Sequence, residues 1–290
     1  MNYILHIIIM INIYIILTVS TNLLVGMANL LSIGQAAFYG IGAYVAVFCL
    51  MVLKLPLIPT ILLVMLATAL FSMVVAYPSL RLKGDYFVLA TLGFQLIIFT
   101  ILYNWVPVTR GPYGIPGIPA PRLFGIIEIS GLIPFIFLST ILMLTIVFIF
   151  YKLVHSPFGR ILKGLRDDEI AVLSLGRNVT AFKIWAFVIS SAFIGIAGII
   201  YATYVSYIDP TSFNLDEAIF ILAAVLIGGT GNIRGPVVGA IFVVVLPELL
   251  RFVGFPDSIA ANLRQIVYGL TLIVLMMYRP QGLAGEYRLQ

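Results

Sequence analysis

The sequence has little with which to do chemistry. It holds one cysteine and two histidines in 290 residues. Cys49 has no partner for an intramolecular disulfide, and inside an apolar run it reads as a small buried hydrophobe. His6 lies in the first apolar run and His155 in a polar loop, so no metal cluster and no nucleophile with its base suggests itself. Neither a metal nor a cofactor is expected. The phosphate-cradling pattern Gly-x4-Gly-Lys-Ser/Thr is absent, so any ATP involved must be bound by another chain. Charge is equally scarce: 16 basic and 11 acidic side chains make up 9% of the chain, and none of Lys, Arg, Asp or Glu occurs from Met1 to Leu53. A soluble globule could not keep such a surface wet.

What is present is apolar surface. The chain is 62% hydrophobic with a mean hydropathy of +1.16, the composition of a multi-pass membrane protein. At about 20 residues per crossing, and allowing for loops, the length fits roughly eight to ten spans. Charged residues mark where spans stop, because a charge at the centre of a spanning helix costs about 2.5–3.5 kcal/mol. The resulting runs are 3–20, 35–53, 57–78, 86–104, 132–151, 184–206, 217–233, 235–253 and 264–278, with 22–34 too short and too polar to count. The fold class read from this pattern is all-α and polytopic, a single transmembrane domain over 1–290. The amino terminus lacks a basic region and a small-residue cleavage site, so it reads as a retained span rather than a cleaved signal.

The net charge of +5 reads as topology rather than as a nucleic-acid surface. Two loops are long, Trp105–Gly131 and Lys152–Lys183, and they should face opposite sides. Placing Lys152–Lys183 in the cytoplasm also brings Arg81, Lys83, Arg234, Arg279 and Arg288 inside, and leaves only Lys54, Arg110, Arg122, Arg251 and Arg264 outside. The basic asymmetry therefore predicts an external amino terminus and a cytoplasmic carboxyl terminus in the cell membrane. The external loop 105–131 carries five prolines and five glycines and cannot be regular helix. It is either an ordered gating element or a plain connection.

The polar segment 152–183 contains a helical pattern. Ile161, Leu165, Val172 and Leu175 recur near i, i+4, while Arg160, Lys163, Arg166, Asp167, Asp168 and Glu169 fill other positions. The helix is predicted to end at Gly176, followed by Asn178. Such a helix is a solvated surface element, a guest in a partner's groove, or a lipid-surface helix, the last opposed by its acidic triplet.

Polar residues inside spans are the places to look for a pathway. Thr91 and Gln95, four apart, share one helix face. Ser32, Gln35, Tyr39 and Tyr44 interleave with Gly34, Gly40 and Gly42. Each group is either helix packing or a lining of the translocation pathway. The glycine-rich run Gly228–Gly235 reads as close packing at a turn between spans. Glu248 and Arg251, three apart, read as a local ion pair, and Arg110, Arg122, Asp209, Asp216 and Glu217 are outer charges available to a docking partner.

Several segments carry a family resemblance. The run SPFGRILKGLRDDEIAVLSLGRNVTAFKIWAFVISSAFIGIAGIIYA, Ser156–Ala202, resembles the cytoplasmic coupling segment and following span of ATP-binding-cassette permeases for branched-chain amino acids. The similarity extends in order through LSIGQAAFYGIGAYVAV (Leu31–Val47), GDYFVLATLGF (Gly84–Phe94), TRGPYGI (Thr109–Ile115), IDPTSF (Ile208–Phe213), LIGGTGNIRGPVVGA (Leu226–Ala240) and YRPQGLAG (Tyr278–Gly285). The RDDE segment, TRGPYGI and the RPQGL tail resemble the M-type permease of that family's unlike pair. The resemblance implies a second, H-type permease, two cytoplasmic ATPases and an extracellular or periplasmic binding protein as partners, with no chemistry in this chain. It also implies a coupling role for Arg166, Asp167, Asp168, Glu169, Ala171 and Gly176, where Val172 stands in place of a second alanine. Related permeases carry urea or short amides, so the solute stays open. A self-sufficient carrier would need more acidic groups within the spans, and a membrane enzyme would need a catalytic set.

Overall fold

A computed structural model of the chain describes residues 2–82, 84–123, 127–129, 131–252, 269–270, 273, 277–278 and 281–285. Helix α1 (Asn2–Asn22) continues through a π-helical turn, Leu23–Met27. After an irregular segment come α2 (Gln35–Val47), extended by a second π turn at Phe48–Val52, then α3 (Leu57–Ser79) and α4 (Asp85–Asn104). A short α5 (Val106–Thr109) and strands β1 (Ile115–Pro116), β2 (Arg122–Leu123) and β3 (Ile127–Glu128) precede α6 (Leu132–His155). Helices α7 (Pro157–Asp167), α8 (Glu169–Ser174) and α9 (Val179–Val205), strand β4 (Tyr207–Ile208), α10 (Leu215–Gly228) and α11 (Arg234–Phe252) follow. The architecture is all-α and polytopic, with seven segments among the described residues long and apolar enough to cross a membrane.

Three boundaries differ from expectation. The stretch 22–34 is not uniformly outside the helices, because the first crossing runs to Met27 and only then unwinds. The run expected over 217–233 stops at Gly228, where Gly229 takes φ +97°, a conformation open to glycine without strain. The single helix expected up to Gly176 is two helices. Asp168 breaks it with an extended backbone, and its Oδ1 accepts from the N–H groups of Ile170 and Ala171 at 2.8 and 3.1 Å, capping a new helix. Gly176 does end that helix with φ +73°, and Asn178 caps the next one through Ala181 N–H at 3.1 Å. The expected span 264–278 falls mostly outside the described residues, as do Lys83, Arg264, Arg279 and Arg288.

The centre of the bundle is α2 against α9, the two most buried crossings. Small residues make that contact possible. A Cβ at Gly42 would lie 2.5 Å from Gly195 Cα, and one at Gly198 would lie 2.5 Å from the backbone nitrogen of Ala43, so the two backbones touch. Helix α3 rests on the outside of this pair through Val64 and Thr68 against Gly195, while α1, α10 and α11 close the other side. Many of the outward side chains of α3, α4 and α6, such as Leu62, Leu89 and Phe137, are exposed and apolar, suited to lipid.

Residues 115–118 of the loop 105–131 are held by pairing. β1 runs antiparallel to β4, and the amides of Gly117 and Ile118 donate to Ser206 O at 3.0 and 3.3 Å. Tyr3 at the start of α1 donates to Glu248 near the far end of α11. Met27, at the opposite end of the first crossing, lies one residue from Gly26, whose carbonyl meets Arg166 of α7. The first crossing therefore ends on the face that carries α7 and α8.

The glycine crossing yields a first test. Gly198→Val is expected to cost about 1–3 kcal/mol or more, as overpacked cores do. Gly93→Ala, with nothing within 4 Å of the added methyl, is expected to be neutral. Thermal unfolding of the two detergent-solubilised variants checks the pair: equal midpoints would remove the crossing from its central place.

Candidate functional site

Two groups of residues were singled out as functional, and the structure places both. On one face, α7 leaves α6 through Ser156, whose hydroxyl accepts from Gly159 N–H at 3.3 Å. Gly159 has no room for a side chain, since a Cβ there would lie 2.3 Å from Val154 O. Leu162 and Leu165 bury α7 against the bundle.

The charged residues of this segment engage the chain itself. Arg166 Nε meets Asp167 at 3.0 Å, and its Nη1 donates to Gly26 O at 3.1 Å. Asp168 is consumed as the α8 cap. Glu169 pairs with Lys183 of α9 at 2.8 Å, a partly exposed bridge that ties α8 to the root of that span. Ala171 is exposed, while Val172 turns inward onto Gly164. The position at which this chain departs from the family's alanine thus faces its own α7. What α8 offers outward is apolar: Ile170, Leu173 and Leu175 are 77%, 52% and 78% exposed. Sequence reading had credited the charges and passed over Ile170 and Leu173. An i, i+3 apolar pair on the solvent side of a polar segment is the signal that could have found them.

The second group meets inside the bundle. Helix α2 begins beside α4, and two N–H groups at and just before its start take acceptors from that helix. Thr91 Oγ1 accepts from Ile33 N–H at 3.2 Å, and Gln95 Oε1 accepts from Ala37 N–H at 2.5 Å. The other end of Gln95 donates to Phe213 O at 2.8 Å, in the turn Pro210–Phe213 before α10. Ser32 Oγ accepts from Gly34 N–H at 3.3 Å. Tyr39 lies edge-on to Phe213, ring centres 4.9 Å apart, and faces Tyr201 at 5.6 Å. Ser32, Thr91, Gln95 and Tyr39 are therefore brought together around the amino end of α2. Gln35 is also fully buried there, and its amide has no hydrogen-bond partner among the described residues; the Tyr44 hydroxyl is in the same state.

Glu217 differs from the outer charges with which its sequence position grouped it. It is half-buried in the first turn of α10, and Tyr14 donates to its Oε1 at 2.8 Å, so a carboxylate joins α10 to α1 within the bundle. Asp209 is likewise engaged, accepting from the N–H and hydroxyl of Ser212 at 2.9 and 2.7 Å. Asp216 stays exposed, and the Arg251 side chain lies outside the described residues, so the expected Glu248–Arg251 pair does too. The glycines of 228–235 pack as expected: a Cβ at Gly228 would lie 2.1 Å from Gly235 O. Among the described residues no group of His, Cys, Asp and Glu is disposed to hold a metal.

Comparison with known proteins gives the chain's kinship. A family model described as the permease component of branched-chain amino acid transport systems matches residues 3–276. The chain is 34% identical to the high-affinity branched-chain amino acid transport system permease protein LivM of Salmonella typhimurium, over 96% of this chain and 69% of that one. The same figures hold for LivM of Escherichia coli. A probable branched-chain amino acid transport permease protein LivM of Methanocaldococcus jannaschii is 27% identical over 72% of this chain and 62% of its own length. No solved structure matches.

The interior site yields a second test. Gln95→Leu leaves Ala37 N–H and Phe213 O unpaired, at about 1–3 kcal/mol for each buried group. The variant should unfold well below wild type in detergent, and an unchanged midpoint would show that α2 does not depend on this amide.

Proposed function

We propose a specific division of labour for this chain, which belongs to the family of branched-chain amino acid transport system permease components: it forms half of a pathway, and ATPase partners drive it through α8. It is a multi-pass membrane protein and a permease, not an enzyme. The reading adds an H-type permease beside it, two ATP-binding-cassette ATPases on the α7–α8 face, and a binding protein at the face of loop 105–131. The basic residues support that sidedness: Lys152, Arg160, Lys163, Arg166, Arg177 and Lys183 cluster around α7 and α8, as expected of a cytoplasmic surface.

The observation that carries the ATPase reading is α8 itself. It is a short helix held from within by the Asp168 cap and the Glu169–Lys183 bridge, presenting Ile170, Ala171 and Leu173 outward. Rigid backing with an apolar outer face suits docking into a partner's groove, and force passes only through such packed contacts. The solute reading, a branched-chain or related amino acid, rests on family membership, and an interior that sets a few polar side chains such as Gln35 and Gln95 among many aliphatic ones is compatible with an aliphatic amino acid. A urea or short-amide permease is the reading to set against it.

The decisive experiment is a gentle-detergent pull-down of the tagged chain with an ATPase assay and uptake by reconstituted vesicles. Co-purifying permease and ATPases, with ATP-dependent uptake of leucine but not urea, are expected; a chain that comes out alone and moves solute without ATP would overturn the reading. Asp168→Ala combined with Glu169→Ala removes the cap, about 1 kcal/mol, and the bridge to α9. Insertion should persist while uptake per ATP falls, and normal ATP-driven uptake would sink the coupling assignment. A cysteine at the exposed Ser174 should react only with reagents admitted to the cytoplasm; labelling from outside would invert the topology.

A further inference from the structure

Three chain turns, distant in sequence, are fastened together on the α7–α8 face. The first is the π turn ending α1. In a continued α-helix the N–H of Leu30 would bond to Gly26 O, but it goes to Leu24 O at 2.9 Å. The carbonyl of Gly26 is met instead by Arg166 Nη1, from a side chain only 11% exposed. One turn earlier, Asn22 Nδ2 donates to Asn232 O at 2.8 Å, in the second turn, between α10 and α11. Asn232 works in both directions: its Oδ1 accepts from Gly235 N–H at 2.8 Å, and its Nδ2 donates to Ala284 O at 2.7 Å, in the third turn, 281–285. That third turn is clamped by Leu283 N–H and Ala284 N–H on Ile227 O and Gly228 O, both at 2.9 Å. Gly26 and Gly231 approach so closely that a Cβ on Gly26 would lie 2.9 Å from Gly231 N.

We infer that Arg166, Asn22 and Asn232 form the line along which displacement of α7 and α8 reaches the ends of α1, α10 and α11, with the π turn Leu23–Met27 as its switching element. The inference rests on the importer reading above. Its physical content is a competition for one carbonyl. With Arg166 seated on Gly26 O, Leu30 N–H stays on Leu24 O and Asn29 holds the left-handed φ of 51° that ends the helix. With Arg166 withdrawn, that carbonyl is open to Leu30 N–H, and residues 28–30 can continue the π turn as α-helix. Rewinding shifts residues 27–34, which lead directly into α2 at the Gln95 site. A charge-assisted bond that alternates with a helix bond gives two discrete arrangements, which is what coupling over a distance requires. Asn22 and Asn232 carry the same movement sideways into the α10–α11 turn. All three act through backbone carbonyls and are positioning residues.

The test uses the whole complex, this chain with its co-purified permease and ATPases in proteoliposomes, driven by leucine-loaded binding protein. Radiolabelled leucine uptake and phosphate release are measured together, and their ratio is the readout. Asn232→Ala and Arg166→Gln are each expected to lower leucine moved per ATP by about fivefold or more. The double variant should lose no more than the worse single one, because both interrupt one line. Arg166→Lys, which keeps a cationic donor, should recover most of the ratio. A purely structural role would lower the yield of complex and leave the ratio of the surviving complex unchanged. Wild-type ratios in both single variants, or losses that multiply in the double variant, overturn the inference. If no complex forms with Asn232→Ala, Asn232→Ser is read the same way, and failure of both would make Asn232 an assembly residue and overturn its place in the line. A wild-type complex that hydrolyses ATP without accumulating leucine would instead sink the importer reading.

Discussion

A helix whose first turn is buried inside a bundle must find partners for its N–H groups within the protein, and the structure depends on how the start of α2 does so. In water those groups would be solvated at little cost; in the bilayer each one left bare costs several kcal/mol. Thr91 and Gln95, from the middle of α4, supply the acceptors for Ile33 and Ala37, and the free end of Gln95 reaches across to the carbonyl of Phe213. One amide thus fixes the depth of α2, the distance to α4 and the position of the turn that launches α10. The same four-residue spacing that makes Thr91 and Gln95 neighbours on a helix makes them a two-point clamp.

With the depth of α2 fixed, its lateral position follows from glycine. Helices in lipid gain nothing from hiding apolar surface from each other, so their association rests on close approach and on polar contacts. Gly42, Gly195 and Gly198 bring α2 and α9 into backbone contact, and Ser190 Oγ donates to Ser20 O at 2.7 Å to bind α9 to α1. Bulk enters only around this seam. Phe38 and Phe87 both meet Phe187 edge-on, and Tyr39, Tyr201 and Phe213 form a second aromatic group nearer the loop 105–131. A rigid centre with glycine at the crossing and aromatics flanking it leaves the peripheral helices α3, α4 and α6 free to present apolar side chains outward.

Much of this was legible in the sequence, and the illegible part has a common cause. Beyond Leu53, charge placement located the crossings from α3 to α10, because the cost of burying a charge acts locally and leaves a mark where such a span ends. The left-handed position of Gly176 was also visible in outline, whereas Asn178, expected beside it at the helix C-terminus, caps the start of α9 instead. What could not be read was any property set by a neighbour distant in sequence. Nothing local distinguishes Gln95 as a clamp from Gln95 as a pathway residue; Phe213, 118 residues on, decides which groups it holds. Glu217 looked like an outer charge beside Asp216 until Tyr14 was found on it. The break at Asp168 was hidden because an aspartate cap and an aspartate on a helix face look alike in periodicity.

The break also explains how a polar segment can present an apolar contact. If Arg166, Asp167, Asp168 and Glu169 lay on one continuous helix facing solvent, any partner would have to strip water from four charges, at a cost that exposed ion pairs rarely recover. Splitting the helix turns Asp168 into a cap, sends Glu169 to Lys183 and draws Arg166 under α7 to the end of α1. The charges are engaged by the chain itself, and Ile170, Ala171 and Leu173 stand exposed among them. On the proposed reading a partner would meet an apolar knob on a stiff mount, bonded to α9 through Glu169–Lys183 and to the end of the first crossing through Arg166.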